Sequence, residues 1–349
     1  MQKILFICLS GAGDVLMSTP LVREIRQNYP CAKIDFLVMQ GKVARDVLIN
    51  NKNIDDVILF NFISEGYWKS LLFCNEMRKK NYDLSITTYP QARVHYSIVS
   101  YLIHAKKRIG FNYDTQKFKI NNIFFTDAIN EDFSKHVIEN NLNVLDILGL
   151  EKESKKIKLI FELTKESREF ADKYFKENKI NKAVVVHPGS GTTKNFILKR
   201  WPKERFAELC KKIVKKKKVK IILVGGPDEN ELKNWIIKKS ELEENKEIFN
   251  LHKQGIERES GVMKKSSLVI SNDGVMAHLA AAIGTEVIGI FGPTPWEQTG
   301  PYTDRKKIVC KNKGVRLWKH GEWISKEQAE TMKKIKVGDV YQAVDEMLK

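Results

Sequence analysis

The stretch that most constrains this chain begins with Leu268-Val269-Ile270 and Ser271-Asn272-Asp273-Gly274, continues through Val275 to Gly284, and closes with Val287-Ile288-Gly289-Ile290-Phe291-Gly292-Pro293-Thr294. A continuous apolar run, a polar elbow rich in turn and cap residues, an apolar helix over Leu279 to Ile283 stopped by Gly284, and a second apolar run spell strand, turn, helix and strand. Runs apolar on both faces belong in a parallel sheet covered by helices on both sides. In such sheets ligands gather beyond the carboxyl ends of the strands, where free N–H groups at a helix N-terminus attract phosphate. Asp273 and His278 fall near that edge. Asp273 reads either as a helix cap or as a group aimed at a ligand, and His278 either as a satisfied interior histidine or as a contact.

Related patterns recur over the 349 residues, enough for two domains that each bury a core. A first strand, Lys3 to Leu9, empties into Ser10-Gly11-Ala12-Gly13-Asp14, and a helical pattern follows through Leu16, Leu21, Val22 and Ile25. Pro20 lies inside that pattern, so the helix either starts there with Ser18 or Thr19 as cap, or kinks. Strands at Lys33 to Val38, Val57 to Phe60 and Asp83 to Thr88 alternate with helices near Val43 to Asn50, Trp68 to Lys79 and Val94 to His104, and one doubly wound sheet should end by about Leu150. A charged connector, Glu151 to Lys156, leads to a strand-like Ile157 to Leu163 and a polar helix over Thr164 to Asn178. The pattern then restarts with Lys182 to His187, a small-residue loop, a helix opened by Trp201-Pro202, and the strand Lys220 to Val224. The expected domains are 1–160 and 161–335, with a last amphipathic helix over 336–349.

Charge narrows the partners. Lys+Arg 60 against Asp+Glu 43 leaves +17, which suits an anionic partner such as nucleic acid, an acidic glycolipid or a membrane face, or a merely solvated Lys-rich surface. The run from Lys211 to Lys220 lacks the aromatic interleaving of a single-strand binder. Cys8, Cys31, Cys74, Cys210 and Cys310 are odd in number and form no C-x-x-C, which fits a reducing cytoplasm. The apolar run Ile4 to Leu9 is too short for a secretory signal, and no stretch is long enough to span a membrane.

Gly11-Ala12-Gly13-Asp14-Val15-Leu16 begins like a dinucleotide fingerprint and then departs from it. Leu16 stands where the third glycine belongs, no acidic residue follows the second strand at Met39-Gln40, and Asp14 would face a pyrophosphate. A carboxylate there can take a proton from a substrate hydroxyl, or simply cap the helix. Gly189-Ser190-Gly191-Thr192-Thr193 offers N–H groups and hydroxyls to phosphate oxygens, though the same residues make plain turns. Lys199-Arg200 brings two cations just ahead of a helix, either to steady a departing phosphate or as a solvated loop. Arg93, His95, Lys106, Lys107, Arg108 and His136 could receive an anionic acceptor or decorate the surface. The chain contains no Walker loop, no G-x-S-x-G elbow and no Asp-x-Asp for a divalent ion on a diphosphate.

Together these pieces resemble the ADP-heptose:lipopolysaccharide heptosyltransferases, glycosyltransferase family 9. Gly11 to Leu16 with Thr19-Pro20-Leu21 resembles the family's N-terminal motif, and His187-Pro188-Gly189-Ser190 with Lys199-Arg200-Trp201-Pro202 its central one. Ser271-Asn272-Asp273-Gly274 through His278-Leu279-Ala280-Ala281-Ala282, with Phe291-Gly292-Pro293-Thr294, resembles the C-terminal signature. The resemblance implies a GT-B fold, two Rossmann-like domains facing a cleft, and leaves open a return of the C-terminal helix to the N-terminal domain. It also implies inverting transfer of heptose from ADP-heptose to a sugar hydroxyl of the lipopolysaccharide inner core, without metal or cofactor. Asp14 would be the general base and Lys199 the donor-phosphate cation. Ser190, Gly191 and Thr192 would bind phosphate, Glu229 the adenosine ribose, and Asp273, Gly274 and His278 the rest of the donor. Gly11, Gly13, Arg93, His95, Lys107 and His136 would lie on the acceptor side. The implied setting is cytoplasmic, peripheral on the inner membrane, with no nucleic-acid partner. Another nucleotide-sugar, a protein acceptor or a Rossmann oxidoreductase are the alternatives. Two departures stand out: where members often carry a cysteine-rich stretch only Cys310 remains, followed by Trp318-Lys319-His320-Gly321-Glu322-Trp323, and Gly274-Val275 replaces the residues more usual after the aspartate.

Overall fold

The structure is a computed structural model, and it describes residues 2–39, 41–115, 121, 123–191 and 193–348. They form two compact units, Met1–Ile160 with Lys319–Glu322, and Phe161–Trp318 with Trp323–Lys349. The first contains β1 (Lys3–Cys8), α1 (Ala12–Asn28), β2 (Lys33–Val38), α2 (Gly41–Asp46), β3 (Asp56–Leu59), α3 (Gly66–Lys79), β4 (Leu84–Thr87), α4 (Val94–Ile103), β5 (Lys107–Asn112), β6 (Asp127–Asn130) and α5 (Val137–Leu148). The second opens with α6 (Lys165–Glu177), β7 (Ala183–His187), α7 (Lys203–Lys217), β8 (Lys220–Leu223), α8 (Asn230–Ser240) and β9 (Ile248–Asn250). It continues with α9 (Gly255–Lys265), β10 (Leu268–Asn272), α10 (Val275–Ile283), β11 (Val287–Phe291), α11 (Trp296–Thr299), β12 (Lys306–Cys310), α12 (Lys326–Lys334) and α13 (Val337–Met347).

Each unit carries one six-stranded sheet, ordered β3-β2-β1-β4-β5-β6 in the first and β12-β11-β10-β7-β8-β9 in the second. The strand pairs are parallel throughout. Renumbered within its own unit, the second sheet has the same order as the first, the dinucleotide-binding order in which the winding reverses between strands one and four. The central strands are the long apolar runs: Ile4 to Cys8, Val184 to Val186 and Leu268 to Ile270 are fully buried. Each such side chain contributes about 1.5–3 kcal/mol by leaving water, so β1, β7 and β10 anchor the two cores.

Helix α1 starts at Ala12 and continues through Pro20, so it does not start there; Pro20 lies inside the helix, as the alternative of a kink required. Proline cannot donate to the carbonyl four residues back, Leu16 O, but the Thr19 hydroxyl donates to that oxygen at 2.7 Å. Ser18 makes the matching bond to Val15 O at 2.7 Å. The strand expected over Ile157 to Leu163 does not form, because α1 takes up the connector's backbone. Buried Glu24 accepts from the N–H groups of Glu153 (2.8 Å) and Ser154 (3.1 Å), and Thr19 accepts from Ile160 N–H (3.0 Å).

The C-terminal helix does not return to the first unit. α13 buries Val337, Val340, Ala343 and Val344 in the core of the second unit, alongside Trp201, Phe206 and Ile213. No helix among the described residues is long and apolar enough to cross a membrane.

Candidate functional site

In the second unit the winding reverses between β7 and β10, which leaves the loop after His187 and the elbow after Asn272 side by side at the carboxyl edge. Buried Asn272 ties them together, donating to Pro188 O at 2.8 Å and Gly189 O at 3.0 Å and accepting from Trp201 N–H at 3.1 Å. Trp201 is 1% exposed, and its indole N–H donates to Ile335 O at 2.9 Å. This anchor fixes the entrance of α7 and brings the preceding Lys199 and Arg200 to the loop.

The Lys199 ammonium donates to Asp273 Oδ2 at 2.6 Å, and the Thr294 hydroxyl donates to the same oxygen at 2.8 Å. The two charged side chains are 12% and 7% exposed, so the pair is largely desolvated. The ammonium also lies 4.2 Å from the ring centre of Phe196 and 5.6 Å from that of Trp318. Beside this pair, His278 projects from the first turn of α10, buried, with Nδ1 lacking a hydrogen-bond partner among the described residues. Burial pushes its pKa down to about 4, Lys199 acting in the same direction and Asp273 against it, so the ring is neutral near pH 7. Gly274 leads into α10 with extended backbone.

A second polar cluster lies behind the Gly189 loop. Glu229 Oε2 meets His187 Nε2 at 3.0 Å and accepts from Gly226 N–H at 3.1 Å, while Oε1 accepts from Arg200 at 3.3 Å. Burial opposes ionisation of Glu229, but His187, Arg200 and the Gly226 N–H outweigh it and hold the carboxyl below its ordinary range. A Cβ on Gly189 or Gly225 would stand 1.6 or 2.2 Å from a Glu229 oxygen, so both glycines are required by this carboxylate. Ser190 is engaged locally too: its hydroxyl donates to Phe196 O at 2.9 Å and accepts from Arg200 Nε at 3.2 Å. Gly191 is exposed, and Thr192 lies outside the described residues. One layer deeper, the buried Lys233 ammonium donates to Gly225 O (3.1 Å) and Leu251 O (3.2 Å). Burial raises the neighbouring Glu259 to about 7 despite the opposing pull of Lys233 and His187.

In the first unit the winding reverses between β1 and β4. Asp14, third residue of α1, accepts from the Ser10 hydroxyl at 2.5 Å and from Gly11 N–H at 3.3 Å, reaching back to the N-cap from the reversal point. Gly11 precedes the helix and Gly13 is in its first turn. Buried Gln91 joins the two exits: it accepts from Leu9 N–H at 2.7 Å and donates to Ile7 O at 2.7 Å and Thr88 O at 2.8 Å. Arg93 opens α4 at this edge. Burial raises the Tyr96 phenol, the Arg93 charge opposes the rise and Asp14 adds to it, which places all three in one electrostatic neighbourhood. His95 is exposed, its ring 4.3 Å from that of Tyr96.

One expected acceptor residue, Lys107, lies elsewhere. Lys107 pairs with Leu84 at the entry of its strand, and its ammonium donates to Ile147 O at 3.2 Å. In a parallel sheet the entry edge is opposite the exits, so Lys107 lies away from Asp14; Lys106, bonded to Asp83, shares that edge. His136 is buried as the cap of α5, its Nδ1 accepting from Ile138 N–H at 3.2 Å. Sequence reasoning gave no role to Gln91 or Phe196, and none to Asn272 or Trp318, although it quoted both in the elbow and the segment after Cys310. Only Asn272 had a signal, an amide between a buried strand and an aspartate.

Over nearly its whole length the chain superposes on solved GT-B glycosyltransferases. The glycosyl transferase family 9 protein of Veillonella parvula gives a TM-score of 0.78 at 21% identity, covering 99% of this chain and 97% of that one. E. coli ADP-heptose lps heptosyltransferase II gives 0.75 at 18% (99% and 98%), and E. coli heptosyltransferase WaaC, solved with ADP-2-deoxy-2-fluoro heptose, 0.72 at 19% (99% and 99%). The fold is GT-B. The family model "Glycosyltransferase family 9 (heptosyltransferase)" matches residues 71–320, and the chain belongs to that family. Among curated relatives, the lipopolysaccharide core heptosyltransferase OpsX of Haemophilus influenzae is 25% identical over 310 residues, 88% of this chain and 84% of the relative. Lipopolysaccharide heptosyltransferase 1 of Campylobacter coli is 26% identical over 329 residues, 91% and 92% respectively. The protein is a glycosyltransferase.

Proposed function

We propose that the protein transfers heptose from ADP-heptose to a sugar hydroxyl, Kdo or heptose, of the lipopolysaccharide inner core, with inversion at the anomeric carbon. The single observation that carries the reading is the Lys199–Asp273–Thr294 cluster at the reversal point of the second sheet, in a chain of the heptosyltransferase family. Residues 161–335 bind the donor and residues 1–160 the acceptor. In the second unit the Lys199 ammonium takes a donor phosphate oxygen and stabilises the charge that builds up as ADP departs. Lys199 supplies this positive charge, so no metal or cofactor is required. Asp273 and His278 hold the sugar end of the donor. Neutral His278 can accept a hydrogen bond at one nitrogen and donate at the other. In the first unit Asp14, fixed by Ser10 and Gly11, removes the proton of the attacking hydroxyl. The acceptor oxygen bonds to the anomeric carbon as the bond to the diphosphate breaks on the opposite face, and a single displacement of this kind inverts the centre.

The acceptor is lipid-anchored, and the same reading places the enzyme in the cytoplasm, on the cytoplasmic face of the inner membrane. Ile63, Tyr67, Trp68 and Leu72, 66–75% exposed, follow β3 at the exit edge shared with Asp14. Trp and Tyr combine an apolar body with a polar tip suited to a lipid interface, and a net charge of +17 favours an anionic one.

The test is transfer from ADP-heptose to inner-core acceptor in a chelator, with the product anomer read by NMR. Asp14→Asn is expected to cut turnover by about 10²–10⁴-fold, with donor affinity nearly unchanged. Unchanged turnover removes Asp14 as base. Preference for a uridine or guanosine sugar removes ADP-heptose as the donor.

A further inference from the structure

We infer that Trp318, together with Phe196, is a positioning residue for the Lys199 ammonium and serves the donor site through it. The inference rests on Lys199 as the donor-phosphate cation. The two rings meet edge to face, centroids 5.7 Å apart at 84°, and both lie within cation–π reach of Lys199 Nζ, at 4.2 and 5.6 Å. Trp318 is itself 6% exposed, so its wall is part of the packed unit.

The chain ties this wall to the ligands of Lys199 from both sides. Trp318 N–H donates to Pro293 O at 2.9 Å, one residue before Thr294, whose hydroxyl holds Asp273. Asn195, one residue before Phe196, donates to Ile324 O at 2.8 Å and accepts from Ile324 N–H at 3.2 Å. The Phe196 carbonyl accepts from Ser190. The turn that carries Lys199 and the segment that carries Trp318 are thus fastened to each other and to the Asp273 elbow.

An aromatic wall suits a cation that must change partners. A lysine side chain has four rotatable bonds, and an ammonium held by Asp273 alone would swing into water once a phosphate competed for it. A ring face attracts the positive charge without consuming an N–H donor. The ammonium therefore stays in place while its three donors remain available, and the exchange of Asp273 for a phosphate oxygen needs only a small displacement. Asp273, relieved of its cation, can then accept hydrogen bonds from the donor sugar.

The experiment is calorimetric titration with ADP, without metal, of the wild type, Trp318→Phe, Trp318→Leu, Lys199→Met, and Trp318→Leu combined with Lys199→Met, each checked for a cooperative thermal transition. Trp318→Leu is expected to weaken ADP by about 3–30-fold, Trp318→Phe to retain most of the affinity, and Trp318→Leu to have no further effect once Lys199 is Met. A purely structural role predicts the same loss in both backgrounds and no rescue by phenylalanine, and that result overturns the inference. If the Lys199→Met background does not fold, the comparison of Phe with Leu at position 318 decides. A wild type that does not bind ADP, or Lys199→Met binding ADP as well as the wild type, overturns the donor reading. Normal wild-type binding with Trp318→Leu unaffected overturns the positioning role alone.

Discussion

Replacing Lys199 by Met removes a charge and keeps most of a shape. The methionine stem can still lie between Phe196 and Trp318, so the loss is chiefly electrostatic. It leaves the Asp273 carboxylate, 7% exposed, with Thr294 at 2.8 Å and no ammonium at 2.6 Å. Taking one partner from a buried ion pair costs about 3–5 kcal/mol, because the remaining charge stays desolvated. Thr294 and the partial exposure of the lysine place the expected value near the lower end, about 3 kcal/mol. At about 2–4 °C per kcal/mol for a domain of this size, the transition of the second unit should fall by about 6–12 °C. Denaturant unfolding followed by tryptophan fluorescence reads it directly, since buried Trp201 and Trp318 belong to that unit. The control is Lys199→Met with Asp273→Asn, which removes the orphaned charge and keeps an acceptor for Thr294. It should recover stability to within about 1 kcal/mol of the wild type. A single variant within about 0.5 kcal/mol of the wild type, or a double variant no better than the single, would refute the claim that this pair is desolvated and mutually compensated.

Two further expectations concern pH and lipid. Burial lowers His278 from 6.5 to about 4, so its share of stability is complete above pH 6.5 and lost as pH falls toward 4; burial raises Glu259 from 4.5 to about 7, so its share is complete below 4.5 and lost as pH rises toward 7. The two slopes oppose each other between pH 4.5 and 6.5, and Glu259→Gln should unmask a rise of about 3 kcal/mol across that interval; a profile parallel to the wild type contradicts the assignment. Trp68→Ser with Leu72→Ser should weaken binding to phosphatidylglycerol vesicles by about tenfold or more and leave ADP affinity alone, and undiminished flotation removes α3 as the lipid contact.

How much of this was legible follows from where each residue gets its partners. The central strands could be read because Val184-Val185-Val186 and Leu268-Val269-Ile270 are apolar on both faces, as only a covered parallel strand needs to be. β5 went unseen behind the basic run at its start. β6, β9 and β12 did too, because edge strands are short and half-polar: Asp127–Asn130 has no buried residue, Ile248–Asn250 is three residues long, and Lys306–Cys310 opens with two lysines. The misplacement of Lys107 has the same origin, since a basic run shows nothing of which end of a strand it occupies. Pro20 suggested a helix start because breaker rules count the missing N–H and overlook a neighbouring threonine that replaces it. Trp318 was visible as a residue, but the role proposed for it depends on a contact with Phe196, 122 positions earlier, and no local pattern encodes that distance.

The repeated strand order explains why the motifs in loops were the readable ones. Both sheets reverse between strands one and four, so each unit offers the same two exits for chemistry. The first unit puts a carboxylate, Asp14, at the exit of strand one, and the second puts Asp273 at the exit of strand four. Their surroundings separate them. Asp14 accepts from the Ser10 hydroxyl and the Gly11 N–H, which orient the carboxylate, whereas Asp273 takes a full cation at 2.6 Å. In the proposed reading the oriented carboxylate of Asp14 is the group that draws a proton from the acceptor hydroxyl. A carboxylate paired with lysine first has to release that lysine, and on the same reading the donor phosphate that draws the ammonium away also frees Asp273 for the sugar. As proposed, one fold used twice supplies a base in one unit and, in the other, an acceptor that a donor phosphate sets free from its lysine.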